Sequence, residues 1–434
     1  RGHHDPHQNN GEGLKEGREL KEAELSAEGQ HKPTLSWLTA FMDQLSDDIV
    51  SQRHSSVGSR MYSAHSHRHA GTPSRHQPAS TRQRRALISE KRLLRLLALT
   101  YNQLKPLPNV VHIRFRDPTR LVVVGDLHGQ IEDLLLILRK HGLPSHDKWF
   151  IFNGDLVDRG TNACEICVII FSLKLLFPSY VFINRGNHET MSISQVYGFR
   201  EEIGYKYGTK VFLRFNSVFC AMPLVHVVNG KAMIVHGGLC YEPGVTLASI
   251  NRLNRFHANW IKPSVITDLL WSDPGDEQFQ GAADSDRGSG CIFGSDIVQE
   301  FLSNNRPLNL VIRSHQMKDE GFERHFGGSV LTIFSASNYC GTCHNDGAVM
   351  EMTPDNQYQV YRYYVGSTPL GHSKFSDRYC LLANSVAAKL IHRIAENRLQ
   401  LLDYYEKEAR LRQAMIRERD HRKGKEEREK EKEQ

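Results

Sequence analysis

Six apolar runs between residues 121 and 338 share one pattern: a β-type hydrophobic stretch breaks off in a polar turn, most often with glycine. They read LVVVGD (121–126), WFIFNGD (149–155), YVFINRGN (180–187), AMIVHGG (232–238), LVIRSH (310–315) and VLTIFSASN (330–338). Between the first three lie helical stretches, QIEDLLLILRKHG and ACEICVIIFSLKLLF. Strand, helix, strand, helix, strand is a βαβαβ rhythm and predicts parallel strands in an α/β fold. The later runs predict a second sheet or a mixed extension. In such folds polar function collects beyond the carboxyl ends of strands, and each polar motif below sits at such an end.

The flanks are patterned differently. Residues 1–84 carry few aliphatics, and the stretch SSVGSRMYSAHSHRHAGTPSRHQPASTRQRR reads as disordered. One island, Leu35–Leu45, has helical apolar spacing. Residues 85–119 read as a basic amphipathic helix ended by prolines, followed by a linker. Such a helix, over residues 84–104, suits calmodulin or an inhibitory role, or packs on the core with its Lys and Arg in water; the last is favoured. Residues 120–366 form the expected catalytic core. Residues 367–434 read as a helical, charged tail ending in KGKEEREKEKEQ.

Composition changes this picture little. The 434 residues, 39% hydrophobic, allow one large core plus extensions. The formal charge of +6 and pI near 8.8 owe much to the flanks, so no nucleic-acid partner is expected. No apolar stretch is long enough for a membrane span. Eight cysteines without a repeating framework, and no secretory signal, point to reduced thiols in the cytoplasm or nucleus.

The chemistry starts with Asp126 and His128 in GDLHG: two apart beyond a strand, they face one side and make half a metal site. Alone, an Asp at a strand end is more often a helix cap. Asp155 in GDLVDRG stands at the matching place after the next strand, and a carboxylate there can bridge two cations. Asn187 in RGNHE offers an amide oxygen. Its neighbour His188 should point elsewhere and stay free as a general acid, with Asp158 fixing its tautomer. His236 and His315 end later strands. Six oxygen and nitrogen ligands without a thiolate suit two divalent ions, manganese, iron or zinc. Such a pair activates water and neutralises charge at phosphorus. Arg159, Arg185 and Arg287 are the available phosphate clamps. No nucleotide-type glycine loop accompanies them, which argues against a kinase or NTPase.

The strings GDLHG, GDLVDRG, RGNHE, HGGL, LLWSDP, DRGSGCIFG, RSHQ and SASNYCG, in that order, resemble the PPP family of serine/threonine phosphatases. The resemblance implies a calcineurin-like metallophosphoesterase fold: a central β-sandwich of two mixed sheets flanked by α-helices. It implies one metal on Asp126, His128 and Asp155, and a second on Asp155, Asn187, His236 and His315. His188, supported by Asp158, would protonate the leaving oxygen of a phosphoprotein substrate. Arg159 and Arg287 would bind phosphate with Arg185 near it, and Tyr339 would border the cleft. Attack would be direct, by metal-bound hydroxide. Within the family, KHGLPS, FIFNGDLVDRG, NRGNHE, FSASNY and LKPLPNV are most similar to the branch with EF-hand domains (PPEF, retinal-degeneration-C type). Ser337 replaces the family's usual proline, as in that branch, yet no EF-hand loop is present in the sequence.

Two features stand apart. Cys340 and Cys343 form a CGTC string, read as loop thiols rather than a thioredoxin-like motif. In WSDP, Asp273 is placed either near the catalytic histidine or beside a merely buried Trp271. The rival functions are a small-molecule phosphoesterase with the same metal core and a catalytically dead scaffold. The long half from DRGSGCIFG to SASNYCG favours protein substrates over the first. The complete ligand set speaks against the second.

Overall fold

The computed structural model describes residues 33–62, 86–257, 259 and 263–365. Among these, residues 39–62 belong to a smaller unit and the rest to a larger one. Helix α1, Leu35–Tyr62, supplies the described part of the smaller unit. Its first turns bury Leu38, Phe41, Met42 and Leu45, the 3–4 spacing that predicts a helix over Leu35–Leu45. The helical backbone continues to Tyr62, into the stretch from Ser55 that composition reads as disordered. Residues 367–434 lie outside the described residues.

In the larger unit the expected basic helix is α2, Glu90–Leu104, N-capped by Ser89, which accepts from the Arg92 N–H. It buries Leu93, Leu96, Leu97, Thr100 and Leu104, while Lys91 and Arg92 stay exposed. The chain then alternates as expected: β1 Val110–Ile113, β2 Arg120–Val124, α3 Ile131–His141, β3 Lys148–Phe152, α4 Ala163–Leu176 and β4 Val181–Ile183. Helices α5, Phe199–Lys206, and α6, Thr209–Ala221, follow. Helix α2 packs on α4 and α6.

The second half holds β5 Val225–Val228, β6 Ala232–Val235, α7 Val265–Trp271, β7 Asp273–Pro274, β8 Ala282–Asp284, β9 Cys291–Phe293 and α8 Ser295–Asn304. It ends with β10 Leu310–Arg313, β11 Phe322–His325, β12 Val330–Ile333, β13 Gly347–Met352 and β14 Tyr358–Tyr363. Two mixed sheets result, in the orders β1-β5-β6-β10-β12-β11 and β14-β13-β2-β3-β4, with a small sheet β7-β9-β8 beside them. Strands β2, β3 and β4 are parallel, as the rhythm predicts. Alternate residues of both large sheets meet in one apolar layer: Leu121, Val123 and Ile151 from one, Ile234, Ile312, Leu331 and Ile333 from the other. The opposite face of the six-stranded sheet buries Val225, Met233, Val235 and Val311 with Leu269, Val298 and Phe301 of α7 and α8. The expected sandwich of mixed sheets flanked by helices is therefore the observed one.

Register aligns the strand ends. Val124 pairs with Phe152, and Phe152 with Ile183, so the turns after β2, β3 and β4 emerge at one edge. A bridge between Asp126 and Phe334 joins the two sheets at that edge. Buried amides sew the seam. Asn153 Nδ2 donates to Val235 O (2.8 Å) and Ser314 Oγ (2.9 Å), and Asn184 Nδ2 to Asn153 Oδ1 (2.8 Å) and Ile234 O (3.0 Å).

Because α2 covers α4 and α6 through its leucines, Leu97→Ala should cost about 2–5 kcal/mol of unfolding free energy. Urea denaturation of the parent and variant measures this; a loss under about 0.5 kcal/mol would mean that α2 adds little to the core.

Candidate metal centre

Each turn at the common edge delivers one or two polar side chains. The backbone has to bend sharply to do so. His128, Asp155, Asp158, Arg159 and His315 all have positive φ, between 45° and 72°, a region that non-glycine residues seldom occupy and that collects at functional sites. Neighbouring glycines let the turns touch. A Cβ on Gly154 would lie 2.4 Å from the Gly186 nitrogen, so the second and third turns meet backbone to backbone.

The outcome is a buried cluster centred on Asp155. His128, Asp155 and His188 present donor atoms within 4.8 Å of one another, and so do Asp155, His236 and His315. The two groups share the carboxylate of Asp155. His128 Nε2 is 3.4 Å from Asp155 Oδ2 and 3.6 Å from Asp126 Oδ2; His236 Nε2 is 3.3 Å from Asp155 Oδ1. Backbone carbonyls orient the rings: His128 Nδ1 lies 3.0 Å from Val157 O and His236 Nδ1 2.8 Å from Asn153 O. A proton on each Nδ1 leaves Nε2 as a lone pair facing the carboxylates. Asp126 Oδ1 accepts the His315 N–H at 3.0 Å.

Do these residues fit cations? Asp126 Oδ2 and His315 Nε2 are buried without a hydrogen-bond partner. The Asn187 amide oxygen lies among acceptors, His315 Nδ1 at 3.0 Å and both Asp155 oxygens at 3.1 Å, and meets a donor there only when His236 Nε2, at 2.9 Å, carries a proton. Hydrogen bonding by itself would turn that amide around. A cation among the same atoms holds the oxygen inward. With two carboxylates, three imidazoles, one amide and no thiolate, the donor set fits hard or borderline divalent ions.

The charges point the same way. Asp155 is held well below the usual carboxylate range by His236, His188 and His128, against the cost of burial. His236 is buried yet pushed up to about 9 by Asp155 and Asp126. His315 is held well below its ordinary value by burial, His236 and Arg287.

Within this cluster His188 is turned toward Asp158. Its Nδ1 is 2.6 Å from Asp158 Oδ2, its Nε2 4.0 Å from Asp155 Oδ2, and its backbone N–H donates to Asp155 Oδ1. Asp158 Oδ1 accepts the Phe199 N–H at 2.9 Å, which anchors the pair to α5. Arg159 is exposed, with its guanidinium 4.1 Å from the Tyr197 ring centroid; that ring is 5.5 Å from His188. The Tyr339 ring is 5.0 Å from His128. Arg287 Nε donates to Asp273 Oδ2 at 2.6 Å, while Asp273 Oδ1 accepts from the buried Arg313 at 2.8 Å.

One expectation needs correction. Arg185, expected near phosphate, is fully buried, and its guanidinium donates to the carbonyls of Glu189, Arg255 and His257. It clamps backbone and presents nothing to a ligand, because its turn points it into the protein. Asp158 is the carboxylate that meets His188. Asp273 bridges Arg287 and Arg313, while Trp271 lies edge-on to His315 with centroids 5.6 Å apart.

Sequence reasoning also passed over Glu189. Its buried carboxylate accepts the N–H groups of Asp155 (2.8 Å), Leu156 (2.8 Å) and Gly186 (2.9 Å), tying the second turn to the third. Burial and Asp155 raise its carboxyl to about 7. The one available signal was its place in RGNHE.

Comparison with known proteins agrees with the fold. A family model described as calcineurin-like phosphoesterase matches residues 119–319. Serine/threonine-protein phosphatase 5 of Arabidopsis thaliana is 41% identical over 258 residues, 59% of this chain and 47% of that protein. Serine/threonine-protein phosphatase T of Trypanosoma brucei brucei is 40% identical over 268 residues, 62% of this chain and 56% of that protein. The solved structure of a protein serine/threonine phosphatase from Saccharomyces cerevisiae is 31% identical, with a TM-score of 0.61, covering 65% of this chain and 92% of that one. The chain spans about half the length of the curated relatives it matches.

Metal binding should release protons. Without a cation His236 is protonated below about pH 9, and a ligating nitrogen must be neutral. Manganese affinity should therefore weaken as pH falls from 9 to 6. Calorimetric titration at pH 7 in buffers of different ionisation enthalpy should find close to one proton released per His236 engaged. Binding with no proton exchange would contradict the assignment.

Proposed function

The chain belongs to the calcineurin-like phosphoesterase family, and on that premise we propose that it hydrolyses serine and threonine phosphate monoesters in proteins. The observation that carries this reading is the buried donor set converging on Asp155, in which His188 is held by Asp158. The family implies divalent metal ions. Asp126, His128 and Asp155 would hold one; Asp155, Asn187, His236 and His315 the other. Bound, such a pair supplies Lewis acidity and lowers the pKa of coordinated water. Manganese, or iron with zinc, suits these donors.

The protein's own groups do the rest. Asp158 fixes the His188 tautomer, leaving Nε2 to hand a proton to the departing serine or threonine oxygen. Arg159, laid on Tyr197, and Arg287, aimed by Asp273, supply guanidinium groups for phosphate oxygens. Burial of Asp155 and the histidines around it keeps their charges in a low-dielectric surrounding. Arg185 supports the third turn from beneath and takes no part in binding.

Phosphoprotein substrates are proposed because the relatives are named serine/threonine-protein phosphatases. The finer placing with the EF-hand-bearing branch rests on KHGLPS, FSASNY, LKPLPNV and Ser337; the relatives reported above are phosphatases 5 and T. Calmodulin binding through residues 84–104 would have to draw on leucines that already lie on α4 and α6. A cytoplasmic setting accords with the described cysteines, all of them free thiols. Among the described residues no helix is long and apolar enough to cross a membrane.

With manganese present, the chain should turn over p-nitrophenyl phosphate and phosphoserine peptides, and prefer the peptides to dinucleoside polyphosphates. His188→Asn should keep its metal content yet lose about 10²–10⁴ in kcat. A fully active, metal-loaded His188→Asn variant would rule out the acid assigned here, and absence of all phosphoesterase activity would refute the function.

A further inference from the structure

We propose that Asp133 is a positioning residue that acts through Ser337 to hold the loop carrying Tyr339 beside the metal centre. The inference rests on the phosphatase reading and adds to it a residue with no contact to the reacting atoms.

Asp133 lies in the first turn of α3, five residues beyond His128, and is buried. Its Oδ1 accepts both the Ser337 N–H (3.2 Å) and the Ser337 hydroxyl (2.7 Å). Gln130 closes the ring: its Nε2 donates to Asp133 Oδ2 at 2.8 Å and to Ser337 O at 2.6 Å. The backbone N–H, the carbonyl and the hydroxyl of Ser337 are thus all engaged by one turn of the polypeptide. The same hydroxyl accepts the Val365 N–H at 3.2 Å, just beyond β14.

The loop that follows is tied mostly to itself. Asn338 N–H donates to Asn345 O and Tyr339 N–H to Asn345 Oδ1, both at 2.8 Å, and Asn338 and Cys340 have φ of 46° and 56°. It is tied to the body by the Ser337 ring, by the Tyr339 side chain, which meets Phe334 edge-on at 5.2 Å and lies 5.0 Å from His128, and at its far end by Asn345 Nδ2 to Ala336 O and Asp346 N–H to Asp319 O. A carboxylate receiving two donors from one residue is a stiff connection. It transmits the position of the His128 turn to Tyr339 through a path independent of the metal ligands. A proline at position 337 would offer neither donor.

Asp133→Asn, Ser337→Ala and the double variant test this as a cycle, with melting curves to confirm folding. Cys340 and Cys343 are exposed on the same loop and report its order through their labelling rate with a maleimide, located by mass spectrometry. Each single change should raise KM for a phosphoserine peptide about tenfold, leave kcat within about twofold and speed labelling at both thiols. The double variant should be no worse than the worse single one. Folded variants with parental KM and labelling rate, or effects that multiply in the double variant, overturn the proposal. If Asp133→Asn does not fold, Ser337→Ala decides alone. If the parent chain fails to hydrolyse the peptide, the phosphatase reading falls, while the labelling rates still decide the connection between Asp133 and the loop.

Discussion

A fully buried carboxylate is unstable as an anion unless positive charge or hydrogen-bond donors surround it, and Asp155 satisfies this from every side. Three histidines converge on its oxygens, the His188 N–H donates to one of them, and Glu189 grips the backbone that carries it. The protein thereby keeps a cluster of acceptors in its interior that protons or cations must complete. The aligned strand ends, the left-handed turns and the glycine contacts are consequences of bringing that much polarity to one point.

The seam between the sheets determines how precisely this is done. Asn153 and Asn184 each follow a strand of one sheet and donate to the other sheet at Val235 and Ile234. His236 then follows Val235 directly, and its own ring leans on Asn153 O. The amides that join the sheets therefore also set the orientation of a ligand. Arg313 extends the arrangement outward: buried, it holds Asp273, which in turn aims Arg287.

Much of the site was legible because strand ends advertise themselves. Asp126, Asp155, Asn187, His236 and His315 each close an apolar run, and a parallel rhythm places such ends together. What was not legible depends on which way a side chain turns. Arg185 and Asn187 share one turn, yet one points into the protein and the other into the cluster. Spacing alone does not separate them. Glu189 was hidden because two of its three partners are backbone groups more than thirty positions away. Strands β1, β5, β13 and β14 were not anticipated either. Strand β1 was assigned to a linker, and β14, with the burial pattern of a half-exposed edge strand, lacks a continuous apolar run. The length of α1 escaped because its second half lacks apolar spacing.

The order of strands in the six-stranded sheet has a consequence for biosynthesis. Strand β10 inserts between β6 and β12 and delivers His315, whereas Asp126 arrives with β2. A nascent chain therefore exposes acidic turns long before the last imidazole leaves the ribosome. Until then the donor set lacks His315. The full donor set exists once β10 lies between β6 and β12.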